Sequence, residues 1–159
     1  MDIKKICFIC LVAALMVGAV SAANGFNVDK NYTSAHEGSY FSLYLNSAQD
    51  SGVTIYKNVD DDVYDDIDEN DAFDHLIHDN GREYLTMDDD FNIVKNADNT
   101  ANFTDYDHAE HGVVEVINSN GEQYIIVFWA KDTSSVSNSD LMSTLNEFNK
   151  DNNVDAVAF

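Results

Sequence analysis

The chain has 159 residues, with 8 Lys and Arg against 29 Asp and Glu, a formal net charge of −21, two cysteines and no proline. A charge of that sign and size argues against nucleic acid and anionic membrane surfaces as partners, because both repel it. The lack of proline excludes a proline-rich stalk or linker.

Residues 1–22 read as a secretory signal peptide. Lys4 and Lys5 precede an uncharged apolar run, Ile6 to Val20, and Val20-Ser21-Ala22 supplies the small residues at which signal peptidase cuts. The run is shorter than the roughly 20 residues that span a bilayer, which disfavours the competing reading of a retained anchor. Cleavage before Ala23 removes Lys4, Lys5 and Asp2 and leaves 6 basic against 28 acidic residues, a net of −22. It also removes Cys7 and Cys10, so the exported part has no disulfide framework. What remains is long enough for one domain with its own core and carries no second apolar span.

Residues 23–38 are polar and read as an irregular lead-in to an acidic domain over 39–159. Ser39 to Asn46 and Val53 to Lys57 are rich in aromatic and β-branched residues and predict two strands, with turn residues from Gln49 to Gly52 between them. Val63, Ile67, Phe73, Leu76 and Ile77 recur at three- and four-residue spacings and predict one or two short helices over 60–79. Asp60, Asp61 and Asp62 suit a helix N-terminus, and Asn80-Gly81 is a stop. Glu83 to Met87 and Phe91 to Lys95 read as strands across an Asp88-Asp89-Asp90 turn, and Asn96 to Asn102 as loop.

Gly112 to Ala130 carries the clearest local signal. Asn120-Gly121 is the preferred pair for a two-residue type I′ hairpin. That turn sets Ile117 opposite Tyr124, Val116 opposite Ile125 and Val114 opposite Val127. Both faces of the hairpin are then apolar, as in a strand pair covered on both sides. Glu115 is the outlier, expected at the margin of a covered face or paired with a cation. Ser137, Asn138 or Ser139 can cap a final helix on Asp140 to Lys150, whose stripe is Leu141, Met142, Leu145 and Phe148. Asp151-Asn152-Asn153 ends it, and Val154 to Phe159 is expected as a closing strand. The expected architecture is a single α+β domain, mostly antiparallel sheet, with a central hairpin over about 112–130 and the C-terminal helix packed on it.

Three stretches, Glu110-His111-Gly112-Val113-Val114-Glu115-Val116, Asn120 to Val127 and Glu147 to Val154, together resemble the C-terminal half of small secreted proteins of methanogenic archaea. The resemblance implies an exported archaeal protein. It brings no activity and no catalytic residue.

Candidate sites are few. His75 and His78, and His108 and His111, are spaced three apart beside acids, a spacing that puts two ligands on one helix face for a transition metal. Solvated surface histidines are the plainer reading, since neither pair has a third close ligand of cysteine or histidine type. His108-Ala109-Glu110-His111 is one residue short of the zinc-protease step and is rejected as such. Asp66, Asp68 and Asn70, and Asp88, Asp90 and Asn92, alternate like calcium-loop ligands. They lack the glycine at position six and the glutamate at position twelve, so only an open, weak calcium site is expected, and no other cofactor. Asn31-Tyr32-Thr33 and Asn102-Phe103-Thr104 are N-glycosylation sequons. No cysteine nucleophile, serine elbow or phosphate loop is present in the exported part. The expected function is non-enzymatic binding at the cell surface or in the medium, with a protein or glycan partner that is basic or cation-bridged. A small secreted hydrolase or a weak metal-binding protein is the alternative. A concave site with two or more buried, pKa-shifted acids would favour the hydrolase.

Overall fold

A computed structural model describes residues 25–39, 41–57, 91–106 and 108–158, without the side chains of Phe41 and Phe91. The signal peptide, the helices expected over 60–79 and the strand expected at 83–87 lie outside the described residues.

Among the described residues seven strands form one sheet: β1 (Tyr32–Glu37), β2 (Phe41–Asn46), β3 (Ser51–Lys57), β4 (Phe91–Lys95), β5 (Thr100–Asp105), β6 (Glu110–Ser119) and β7 (Glu122–Lys131). Their order is β1-β2-β3-β7-β6-β5-β4, and every neighbouring pair is antiparallel. The helix α1 (Asn138–Asn152) follows and packs on β6 and β7. The protein is thus a small, mostly-sheet α+β domain. Asn120 and Gly121 take φ of 52° and 83° at the β6–β7 turn, both left-handed, as a type I′ turn requires. The register follows from it, with Ile117 opposite Tyr124 and Val114 opposite Val127.

Three stretches differ from the sequence expectations, the third being the C-terminal tail. Tyr32–Glu37, inside the expected irregular lead-in, is the edge strand β1, with Thr33 to Glu37 exposed. It is held by backbone pairing to β2, so it carries no hydrophobic alternation to read. The lead-in also enters the core: Phe26 and Val28 are buried, and Phe26 packs edge-to-face with Tyr124 at 5.0 Å and tilted against Phe148 at 5.6 Å between ring centroids. The expected loop Asn96 to Asn102 is a turn followed at Thr100 by β5, whose alternation of Ala101 and Phe103 with polar neighbours is short and rich in turn-forming residues.

Helix α1 forms where its stripe and its caps agree. Ser137 is the N-cap in a capping box with Asp140, whose Oδ2 accepts from Ser137 N–H at 2.9 Å. Leu141, Leu145 and Phe148 are buried against Val53, Ile55, Val113, Ile117, Ile126 and Phe128. Each such side chain contributes about 1.5–3 kcal/mol through area removed from water. Asn153, at φ 53°, closes the C-terminus in the left-handed conformation. Asn152 then clamps the N-terminal segment, accepting from Asn27 N–H at 2.6 Å and donating to Asn27 O at 2.9 Å.

The expected closing strand over Val154 to Phe159 reduces to a single bridge. Ala156 pairs with Ile117, and Val157 N–H donates to Val116 O at 2.8 Å. β5 pairs with β6 only as far as Thr100, opposite Glu115. Beyond that point the tail takes over the edge of β6. Glu115 therefore sits where the partner of β6 changes.

Candidate functional site

That changeover opens a polar cleft of about 600 Å³ over Glu115, bounded by the C-terminal half of α1, the β4–β5 turn and the tail. Its lining includes Asp98, Thr100, Glu115, Asn149, Lys150 and Asp155. The sheet supplies Glu115 and Thr100 as cross-strand neighbours. The turn supplies Asp98, whose Oδ1 accepts from Thr100 Oγ1 at 2.6 Å and from Thr100 N–H at 3.2 Å. Asn96 Nδ2 donates to Thr100 Oγ1 at 2.9 Å, fixing the hydroxyl. The Thr100 hydroxyl holds the Asp98 carboxyl below the usual carboxylate range.

Glu115 is the opposite case. Its accessible surface is 0%, so it does not lie at the margin of its face. Oε2 accepts from Asn149 Nδ2 at 2.9 Å. Oε1 has no partner, and neither does Asn149 Oδ1; both atoms are closed to solvent. Burial is the main cause that pushes the Glu115 carboxyl up to about 7. The Asn149 donor works against that shift, and the charges of Asp98 and Asp155 add to it. The cleft thus combines one buried acid near neutrality with the exposed Asp98 and Asp155 on its rim. Chemically, it can accept hydrogen bonds from a cationic or donor-rich group at the rim and hold or lose a proton at its floor.

The residues singled out in the sequence fall elsewhere. His75, His78, Asp66, Asp68, Asn70, Asp88 and Asp90 lie outside the described residues. Asn92 lies on β4, opposite Thr104. His108 is exposed in the turn before β6, with Nδ1 at 3.0 Å from Asp105 Oδ2. His111 lies on β6, with Nδ1 at 3.0 Å from Asp132 Oδ1 and Nε2 at 3.0 Å from Val136 O, and so ties the β7–α1 connection to the sheet. Neither is on a helix, so a shared helix face does not apply to this pair. Among the described residues no group of three or more His, Cys, Asp or Glu is placed to hold a metal ion. Asn31 is exposed in the turn before β1. Asn102 is half-buried on β5, its Nδ2 donating to Asn96 Oδ1 at 3.3 Å.

Sequence reasoning singled out Glu115 as an outlier but missed Asn149, Thr100 and Asp98 as its surroundings. Asp98-Asn99-Thr100 does carry a local signal, an aspartate placed to accept from the residue two ahead. Asn149 carries none, since it merely follows the apolar stripe. Among the described residues no helix is long and apolar enough to cross a membrane. Compared with protein-family models, curated proteins and solved structures, the chain matches none of them.

Proposed function

We propose that this is an exported, non-enzymatic acidic domain that binds a basic or cation-bridged partner outside the cell, and that the cleft over Glu115 is where it does so. The single observation that carries the reading is the rim of the cleft, where the exposed carboxylates Asp98 and Asp155 stand beside the amides Asn146 and Asn153. Such a rim suits amine, guanidinium or hydrated calcium, and a net charge of −21 steers cations toward it. Export rests on the basic, apolar and small-residue order of residues 1–22, and the resemblance to archaeal secreted proteins agrees with it.

The test is a set of amide chemical-shift titrations of the chain from Ala23, with an oligolysine peptide, with calcium chloride and with a neutral oligosaccharide. The expected result is saturable shifts at Asp98, Asn146, Asn153 and Asp155 with oligolysine or calcium, weakened by added salt and lost in the Asp98→Asn, Asp155→Asn double variant. Absence of shifts at millimolar ligand, or shifts unaffected by the double variant, would overturn the reading.

The second reading, a small hydrolase with Glu115 as general acid, draws on one observation, a buried carboxyl near neutrality in a cleft. One of its oxygens accepts from Asn149 and the other is closed to solvent, and the rim acids are exposed. The criterion of two buried, shifted acids in one concavity is met by one.

A further inference from the structure

Glu115 and Asn149 are joined by one hydrogen bond and share one deficit. Asn149 Nδ2 donates to Glu115 Oε2 at 2.9 Å. The remaining oxygen of each group, Glu115 Oε1 and Asn149 Oδ1, is closed to solvent and has no partner. Two such orphans in one pair are costly, because neither water nor protein replaces the lost hydrogen bonds. They share a cause: an ionised carboxylate and an amide oxygen are both acceptors, with no hydrogen between them. A carboxyl and a primary amide are planar groups of like shape, each with two polar atoms on one carbon. Placed edge to edge they form two parallel hydrogen bonds, provided the acid keeps its proton.

We propose that Glu115 and Asn149 form a closed acid–amide pair, in which Glu115 Oε1–H donates to Asn149 Oδ1 while Asn149 Nδ2–H donates to Glu115 Oε2, and that loss of this one proton to solvent releases the C-terminal half of α1 from β6 and opens the cleft. The site binds a proton before it binds anything else. A single hydrogen satisfies both orphaned atoms, which a ligand in the cleft cannot reach while they are closed to solvent.

The surroundings favour the neutral acid. Asp98 on the β4–β5 turn and Asp155 on the tail both face Glu115 and oppose a negative charge there. Lys150 on α1 lines the same cleft and is, among the described residues, its one cation. The cross-strand neighbours, Thr100 on β5 and Ile126 on β7, bring no charge. Burial, with these acids, pushes the carboxyl up to about 7 from its ordinary 4.5. A carboxyl raised on folding contributes stability that is fully present below about 4.5 and is lost as pH rises to about 7 and beyond. Deprotonation leaves a buried charge with one hydrogen bond, set against the burial of Leu145 and Phe148 and the Asn152 clamp that hold the same end of α1. This pairing does not depend on what the cleft binds, but it sets the pH at which the proposed site becomes accessible.

The experiment follows Glu115 Cδ and the Asn149 side-chain amide by NMR from pH 4 to 9, without ligand, in the chain from Ala23. Both signals are expected to titrate together with a midpoint close to 7, and the protection factors of the amides in the last turns of α1, taken relative to the base-catalysed intrinsic rate, are expected to fall above it. A midpoint in the ordinary carboxylate range, or an Asn149 amide that does not follow Glu115, would overturn the proposal. Glu115→Gln supplies the second arm. Its amide presents N–H where the acid has O–H and keeps an oxygen for Asn149 Nδ2, so it mimics the paired state at every pH. Relative to this variant, wild type is expected to lose on the order of 100-fold in its folding equilibrium between pH 5 and pH 8. Parallel pH profiles for the two proteins would equally overturn it. If the variant does not fold, the wild-type titration decides alone.

Discussion

The two faces of the sheet solve the same burial problem by different means, and β6 shows both. On one face it presents Gly112, Val114 and Val116, and on the other Val113, Glu115 and Ile117. The first face carries a row matched by shape. Phe103, Gly112, Trp129 and Gly52 lie in one row across β5, β6, β7 and β3, so that a large ring alternates with a missing side chain. The Trp129 indole lies over Gly52 and donates from Nε1 to Thr54 Oγ1 at 3.2 Å. The second face is covered by α1; Glu115 is the buried carboxyl on it, beside the buried hydroxyls of Ser42, Ser51 and Thr100, and must be satisfied by hydrogen bonding. Both faces bury polar groups; the comparison teaches that the glycine–aromatic row leaves no room for added volume, whereas the Glu115–Asn149 pair under α1 turns on protonation.

The largest expected effects break the glycine–aromatic row. An alanine at Gly112 would drive its Cβ into the backbone oxygen of Phe128 and the ring of Phe103. The backbone of a paired strand cannot retreat without losing its ladder, so Gly112→Ala should cost about 3 kcal/mol, at the upper end for overpacking. Urea denaturation checks it, and an unchanged midpoint would show that the row is looser than its geometry. Gly52→Ala meets Trp129 Cζ2 at 2.6 Å instead, a side chain that can pivot. Its cost should be smaller, about 1–2 kcal/mol. Trp129 is the single tryptophan, so its fluorescence reports the displacement directly. A variant as stable as wild type with an unmoved emission maximum would remove Trp129 from the row.

Much of the fold was legible in the sequence because its signals are local. Asn120-Gly121 dictates the hairpin register, and the capping residues and the stripe of Leu141, Leu145 and Phe148 locate α1. What stayed hidden is long-range. β1 is polar along its length and owes its strand conformation to β2, and β5 is specified by its pairing with β6 more than by its own composition. Glu115 was visible as a polar residue in an apolar pattern, but not its burial, since that depends on a helix 34 residues further along the chain. Asn149 has no pattern at all. It is recognisable only once α1 is laid on β6 and its amide faces the carboxyl.

The smallest effect sharpens the helix face by separating the two ends of α1. Ser137 caps the N-terminus, far along the helix from Asn149, and loss of its hydroxyl in Ser137→Ala should cost about 1 kcal/mol. The hydroxyl and backbone N–H of Ser137 hold the Asp140 carboxyl below its usual 3.8. A carboxyl lowered on folding contributes stability that is present above its unfolded pKa and is lost as pH falls through the folded one. The gap between Ser137→Ala and wild type should therefore stay constant from pH 5 to 8 and narrow only in acid, below about 4. The Glu115 contribution runs the other way, being lost as the pH rises from about 4.5 toward about 7. Thermal melts across pH then distinguish a helix that is weakened as a whole from one that is released at a single end. A Ser137→Ala variant whose deficit grew between pH 5 and 8 would mean that the ends are coupled, so that Glu115 controls the docking of all of α1 and not its C-terminal half.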